Sequence, residues 1–225
     1  DNCATAETLV FTSGVATATG TTVGAFNDTG AAPLTCSADS ATNPEVFYKL
    51  TLTQPQDVQV TVTVPGTSTL TPAIALTNVC GGTGATAELG CQVGAGATFS
   101  LLRVPAGTYY LVVDGDNVDP GAFSLDVTLT APTPIPANDT CSAPATLVPN
   151  VSQSVDVTDG YGDYSFSCAS GASGADVTYQ FTTTLAQKVT LTATGTGGAD
   201  AVLSLRKAPC TDSTNEVLCS DSTTT

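Results

Sequence analysis

The 225-residue chain has no histidine and no tryptophan, five lysine and arginine residues in all, and no long apolar run. Each absence excludes a class of function. Without imidazole, no Ser-His-Asp or Cys-His arrangement can activate a nucleophile. The eight cysteines include no CxxC pair, so zinc and thioredoxin-like redox motifs have nothing to stand on. Five basic residues against twenty acidic ones give a formal charge of −15. No basic cluster exists to neutralise phosphates, which excludes nucleic acid as a partner. A membrane-spanning helix needs about 18 consecutive apolar residues, and no segment reaches that length. The lack of tryptophan removes the broadest platform for stacking on a sugar ring.

What is present reads as β structure. Threonine, valine, glycine and proline dominate, strong helix formers are thinly spread, and no long segment has a 3.6-residue apolar period. Pro105 and Gly107 set a tight turn over Val104 to Thr108. Tyr109 to Val113 then forms a near-continuous apolar run, expected of a strand covered on both faces. Phe123, Leu125, Val127 and Leu129 alternate with Ser124, Asp126 and Thr128, a period of two with one wet face. These two strands are expected to pair as a hairpin on a core. With only 11% of residues charged, the acidic excess reads as solubility by self-repulsion or as cation binding.

The chain repeats itself. Cysteines at 3, 36, 80 and 91 are answered at 141, 168, 210 and 219. Val46, Tyr48 and Leu50 correspond to Val177, Tyr179 and Phe181, all on an inner face. Val58, Val60, Val62 and Val64 are echoed by Val189-Thr190-Leu191-Thr192, and Ala73 to Leu76 by Val202 to Leu205. The expected organisation is a domain over 1–130, a proline-rich spacer over 131–137 in extended polyproline form, and a second domain over 138–225. The second copy lacks a counterpart of Thr108 to Leu129. A longer chain, an artificial end or strands from another molecule would each account for that. Each half must satisfy its own cysteines, and the expected pairs are Cys3–Cys36, Cys80–Cys91, Cys141–Cys168 and Cys210–Cys219. Disulfides, and a start at Asp1 with no signal peptide before it, indicate mature secreted material.

The Asn138-Asp139-Thr140-Cys141 opening, the strand Asp176 to Phe181 and the stretch Leu102 to Gly115 resemble bacterial pre-peptidase C-terminal domains. The resemblance covers 1–130 as one copy and 137–225 as a partial one. It implies tandem antiparallel, jelly-roll-like β-sandwiches on secreted or surface bacterial proteins, often proteases, with an accessory role in secretion, anchoring or substrate binding.

Three groups of residues are candidates for chemistry. Asp114, Asp116, Asn117 and Asp119 put four oxygen-bearing side chains in one glycine-framed turn, a pattern that suits calcium and equally suits ordinary turn chemistry. Tyr161 and Tyr164 lie in a glycine-framed loop, able to contact a sugar or protein, or to fold over the sandwich end. Acid pairs could in principle hydrolyse a glycoside, but acidic residues on turns and wet faces explain them without chemistry. Sequons occur at Asn27, Asn138 and Asn150. The reading is a non-catalytic extracellular or cell-surface protein, structural or adhesive, a surface module or fibre subunit. The alternative is an accessory region of a secreted hydrolase or protease. Its partners are other proteins, copies of itself or an extracellular polysaccharide, with calcium as the one cofactor in question.

Overall fold

A computed structural model of the protein describes residues 2–28, 33–37, 40, 42–116, 120–169, 174–196 and 199–221. Among these residues the chain is all-β, with short 3-10 turns and no α-helix. It divides into two units, Asp1–Thr133 and Pro134–Thr225.

The first unit contains β1 (Glu7–Thr8), β2 (Val15–Thr21), β3 (Val46–Leu52), β4 (Gln56–Thr63), β5 (Pro72–Thr77), β6 (Glu88–Val93), β7 (Thr98–Val104), β8 (Gly107–Gly115) and β9 (Ala122–Thr130). One sheet has the order β1-β3-β8-β5-β6 and the other β2-β9-β4-β7. The period-two strands turn their apolar sides toward each other and seal the core. Tyr48, Leu50, Ile74, Leu76, Leu111 and Val113 from the first sheet meet Val58, Val60, Val62, Phe123, Leu125 and Val127 from the second. β5 is buried along its whole length, since described residues of the 22–45 segment cover the outer side of its sheet. Leu34 from that segment packs on Ala73 and Ala75, and Cys36 ties it to Cys91 of β6.

The chain bends at Ala106 and β8 starts at Gly107 rather than Thr108, in the sheet opposite β7, and β8 and β9 are not a hairpin. β8 runs between β3 and β5, whereas β9 runs between β2 and β4 in the opposite sheet. The chain changes sheet at each connection among these strands except β5 to β6. Gly115 and Ala122, the end of β8 and the start of β9, therefore belong to different layers, which lie about 10 Å apart in sandwiches.

The expected cysteine pairing is also overturned. The bonds are Cys3–Cys80, Cys36–Cys91, Cys141–Cys210 and Cys168–Cys219. The register explains why. Cys91 lies opposite Ala75 in the β5–β6 hairpin, while Cys80 lies beyond the last ladder pair, Thr77 with Glu88. Cysteines so offset cannot close a bridge whose Cα atoms must lie within about 7 Å. Cys91 shares the outer face of Ala73 and Ala75, where the 22–45 segment brings Cys36. Non-reducing peptide mapping is expected to recover these four cross-links, and a Cys80–Cys91 peptide pair would overturn the β5–β6 register.

The second unit contains β10 (Ala145–Thr146), parallel to β11 (Tyr179–Gln180), and an antiparallel pair, β12 (Val202–Arg206) and β13 (Glu216–Asp221). Cys219 lies opposite Ser204, while Cys210 lies beyond the last ladder pair, Arg206 with Glu216, as Cys80 lies beyond Thr77 with Glu88 in the first unit. Val189 to Thr192 carries no ladder. Its expected equivalent, β4, is held between β7 and β9, and no described strand runs beside 189–192.

Candidate functional site

The four-stranded sheet exposes a face of short polar side chains. Ladder pairs line up Thr128, Gln59 and Ser100 in one row, Thr17, Asp126, Thr61 and Thr98 in the next, and Thr19, Ser124 and Thr63 in a third. All alternate with inward positions of the same strands, buried valines on β4, Phe123, Leu125 and Val127 on β9, alanines on β2 and half-buried Phe99 and Leu101 on β7, so the pleat aims them outward. Gln59 donates to Ser100 Oγ at 3.3 Å, and the hydroxyls of Thr61 and Thr98 are 2.9 Å apart. A groove of about 210 Å³ runs between Gln59, Ser100, Leu102 and Thr128 toward Asp57.

Asp57 lines that groove and is held by several hydrogen bonds. Its Oδ1 accepts the Arg103 N–H at 2.7 Å, and its Oδ2 accepts the Thr133 N–H at 3.0 Å together with the Thr133 hydroxyl. Burial pushes the Asp57 carboxyl up, but these hydrogen bonds and the Arg103 charge outweigh it and hold the group below the usual carboxylate range. Arg103 Nη1 donates to Thr133 O at 3.3 Å, so the start of the proline-rich segment is fastened to the first unit.

At one end of the sandwich two acids are buried together. Glu45 and Asp114 both have zero exposure. Val46 and Val113 are register partners, so Glu45, one residue before, and Asp114, one residue after, face each other across β3 and β8. Asp114 Oδ1 accepts the Gly115 N–H at 2.6 Å, and Glu45 Oε1 accepts the Asp28 N–H at 2.6 Å. Asn43 Nδ2 donates to Gly115 O at 2.8 Å, tying the covering segment to the end of β8. Burial, with the Glu45 charge adding to it, pushes the Asp114 carboxyl up to about 8 against the pull of the Gly115 N–H.

The structure thus takes Asp114 out of the acidic turn and pairs it with Glu45. Asp116 is half-buried and donates its N–H to Thr71 O at 2.7 Å, while Asn117 and Asp119 lie outside the described residues. Among the described residues no three acid, cysteine or histidine side chains converge to hold a metal. Sequence reasoning missed Glu45, although an acid before a strand whose Phe47 and Tyr48 are both buried was the available signal.

In the second unit the two loop tyrosines separate. Tyr161 is 45% exposed. Tyr164 turns inward, where its hydroxyl accepts the Cys141 N–H at 2.8 Å and its ring faces the Arg206 guanidinium at 5.6 Å. Phe166 lies 5.7 Å from the same guanidinium, Glu216 Oε2 is 3.8 Å from Nη2, and Arg206 also donates to Cys210 O and Ser165 O. Asp176 mirrors Glu45: it is buried, it precedes a strand, and its Oδ2 accepts the N–H groups of Asp163 and Tyr164 at 3.0 and 3.1 Å. Burial raises its carboxyl, those N–H bonds lower it, and the charges of Asp163 and Asp139 raise it further.

None of the curated proteins matches this chain by sequence. Among solved structures it resembles the Aeromonas hydrophila protein PliG, a periplasmic inhibitor of g-type lysozyme, at 15% identity and a TM-score of 0.38, over 56% of this chain and 96% of that one. Residues 1–120, more than half of the 225, match the model of a T9SS-associated family described as galactose-binding-domain-like. Its β-sandwich type agrees with the two sheets of the first unit, and four disulfides agree with an oxidising compartment. The chain belongs to this T9SS-associated, galactose-binding-domain-like family and is a secreted or periplasmic protein.

Proposed function

We propose that the chain is a non-catalytic extracellular adhesive protein made of two copies of one sandwich module, and that the first module holds a neutral polysaccharide on its four-stranded sheet. The observation that carries this reading is the hydroxyl and amide face of β2, β9, β4 and β7. Hydroxyls spaced about 4.8 Å across strands and about 6.7 Å along them offer donors and acceptors in a rigid array. A sugar chain presents the same two functions in return, and rigid short side chains lose little freedom on binding. The family's galactose-binding description points to the same ligand class.

Charge selects within that class. A net charge of −15 and the central Asp126 repel polyanions, which leaves a neutral glycan. With no tryptophan to stack on a ring, each face binds weakly, and holding strength comes from many copies on one surface. The non-catalytic part rests on the Glu45–Asp114 pair, which is sealed from solvent and out of reach of any substrate. The two-copy part rests on matching contacts. Cys36 N–H approaches Cys91 Sγ at 3.3 Å as Cys168 N–H approaches Cys219 Sγ, also at 3.3 Å. Glu88 receives the Thr35 N–H as Glu216 receives the Ser167 N–H.

Pull-down on cellulose, chitin and galactan tests the binding reading. The protein is expected to be retained by at least one of these neutral polymers. Thr61→Arg or Thr128→Arg, both outward on the flat face, should cut retention roughly tenfold while leaving the melting temperature within a few degrees. Equal retention of parent and variants would move the site elsewhere, and no retention on any polymer would end the reading.

A further inference from the structure

Asp114 is buried with no exposure on a face it shares with Glu45, and an ionised carboxylate there needs a counter-charge or a proton. Asp114 has one oxygen engaged by the Gly115 N–H, and its Oδ2 is buried with no hydrogen-bond partner. Among the described residues, the charged side chain that acts on Asp114 is Glu45, which has the same sign. An ionised carboxylate in such a place costs several kcal/mol unless it is paired. Structures rarely leave a buried polar atom of this kind without a ligand, water or ion.

We propose that Glu45 and Asp114 form a seat for a hard divalent cation of the calcium class, with Asp114 Oδ2 as its inward ligand. All the donors at hand are oxygens, no histidine exists and no described cysteine is free, which favours calcium over zinc or copper. Two carboxylates match the charge of one divalent ion, and backbone carbonyls and water complete a calcium shell of six to eight oxygens. The seat links the end of β8 to the covering segment. Asn43 grips Gly115 O from that segment, and the Asp28 N–H holds Glu45 Oε1. A cation here would pin the 22–45 segment at the acids as Cys36–Cys91 pins it at the far side. The site is distinct from the polysaccharide face, so either reading can fail without the other.

The full chain, stripped with a chelator, should be titrated with calcium chloride by calorimetry and by thermal melting. Calcium at about a hundredfold above its dissociation constant is expected to raise the melting temperature of the first unit by about 10 °C. Asp114→Asn, which keeps the shape and removes the charge, should abolish both the heat and the shift. Glu45→Gln should do the same and serves as the second variant if the first does not fold. Identical melting of stripped and calcium-treated parent up to about 10 mM calcium would overturn the proposal and leave a shared proton as the device that settles the pair. A calcium shift that survives in both variants would overturn it as well.

Discussion

Phe123→Ala is expected to lower the stability of the first unit by about 3–5 kcal/mol, or its melting temperature by about 10–15 °C. Phe123 is 2% exposed and crosses from β9 to the opposite layer, where its ring meets Tyr48 of β3 edge-on at 6.2 Å and 86°. Burial of the ring and the aromatic pair are lost together, and the rigid sheets on either side cannot close the space. Gly20, the register partner of Phe123, sharpens the test. A Cβ on Gly20 would come within 2.5 Å of both the Phe123 ring and the Tyr48 hydroxyl. Gly20→Ala should therefore be costly in the parent and less so beside Phe123→Ala, a coupling that a double-mutant cycle by urea denaturation reads directly. Thr19→Ala, on the outward side of the same strand, should change stability by less than about 0.5 kcal/mol. A Phe123→Ala loss no larger than that of Thr19→Ala would mean that the two layers do not meet as described.

That cross-layer contact also marks the limit of what alternation in the sequence can say. Val58, Val60 and Val62, and Phe123, Leu125 and Val127, announce an inner and an outer face, and each is buried as its period requires. The partner of each strand is not written in its period. β9 lies beside β4 and β2, more than fifty residues away, while its sequence neighbour β8 belongs to the other sheet. A turn-rich loop after a strand looks the same whether the chain reverses within a layer or crosses to the next, and the hairpin expectation failed there. The polar face was legible residue by residue as Gln59, Thr61, Ser124, Asp126 and Thr128. It becomes a surface only once pairing sets those residues in rows.

The cysteines were misread for a related reason. The Cys80 to Cys91 stretch is short and glycine-rich, like a hairpin tip that a bridge would clip. Direction decides instead. Cys91 points to the outer face of its sheet, where the 22–45 segment carries Cys36. The acid pair follows the same logic, since Glu45 and Asp114 are 69 residues apart in sequence and meet because β3 and β8 are antiparallel neighbours. Asp114 could be singled out from its turn, but its partner depended on topology.

In calcium-free solution the stability of the first unit is expected to fall as pH rises from about 4 to about 8. Asp114 has an ordinary value of 3.8 when the chain is unfolded and about 8 when folded. The folded protein therefore holds a proton that the unfolded chain releases. The stabilisation is complete below the unfolded value and is lost as pH climbs through the folded one. The gap corresponds to on the order of 5 kcal/mol as a ceiling, because lifting of the 22–45 segment would let water reach the acids before the full penalty develops. Asp57 acts in the opposite sense, its carboxyl being held below the usual range, so its contribution disappears only toward acid. Urea denaturation at pH 5 and pH 8 in a chelator reads the effect, and Asp114→Asn should flatten it and be the more stable protein at pH 8. If parent and Asp114→Asn show the same slope across that window, the carboxyl is solvated in the folded state, and the packing of the 22–45 segment over β8 would need to be redrawn.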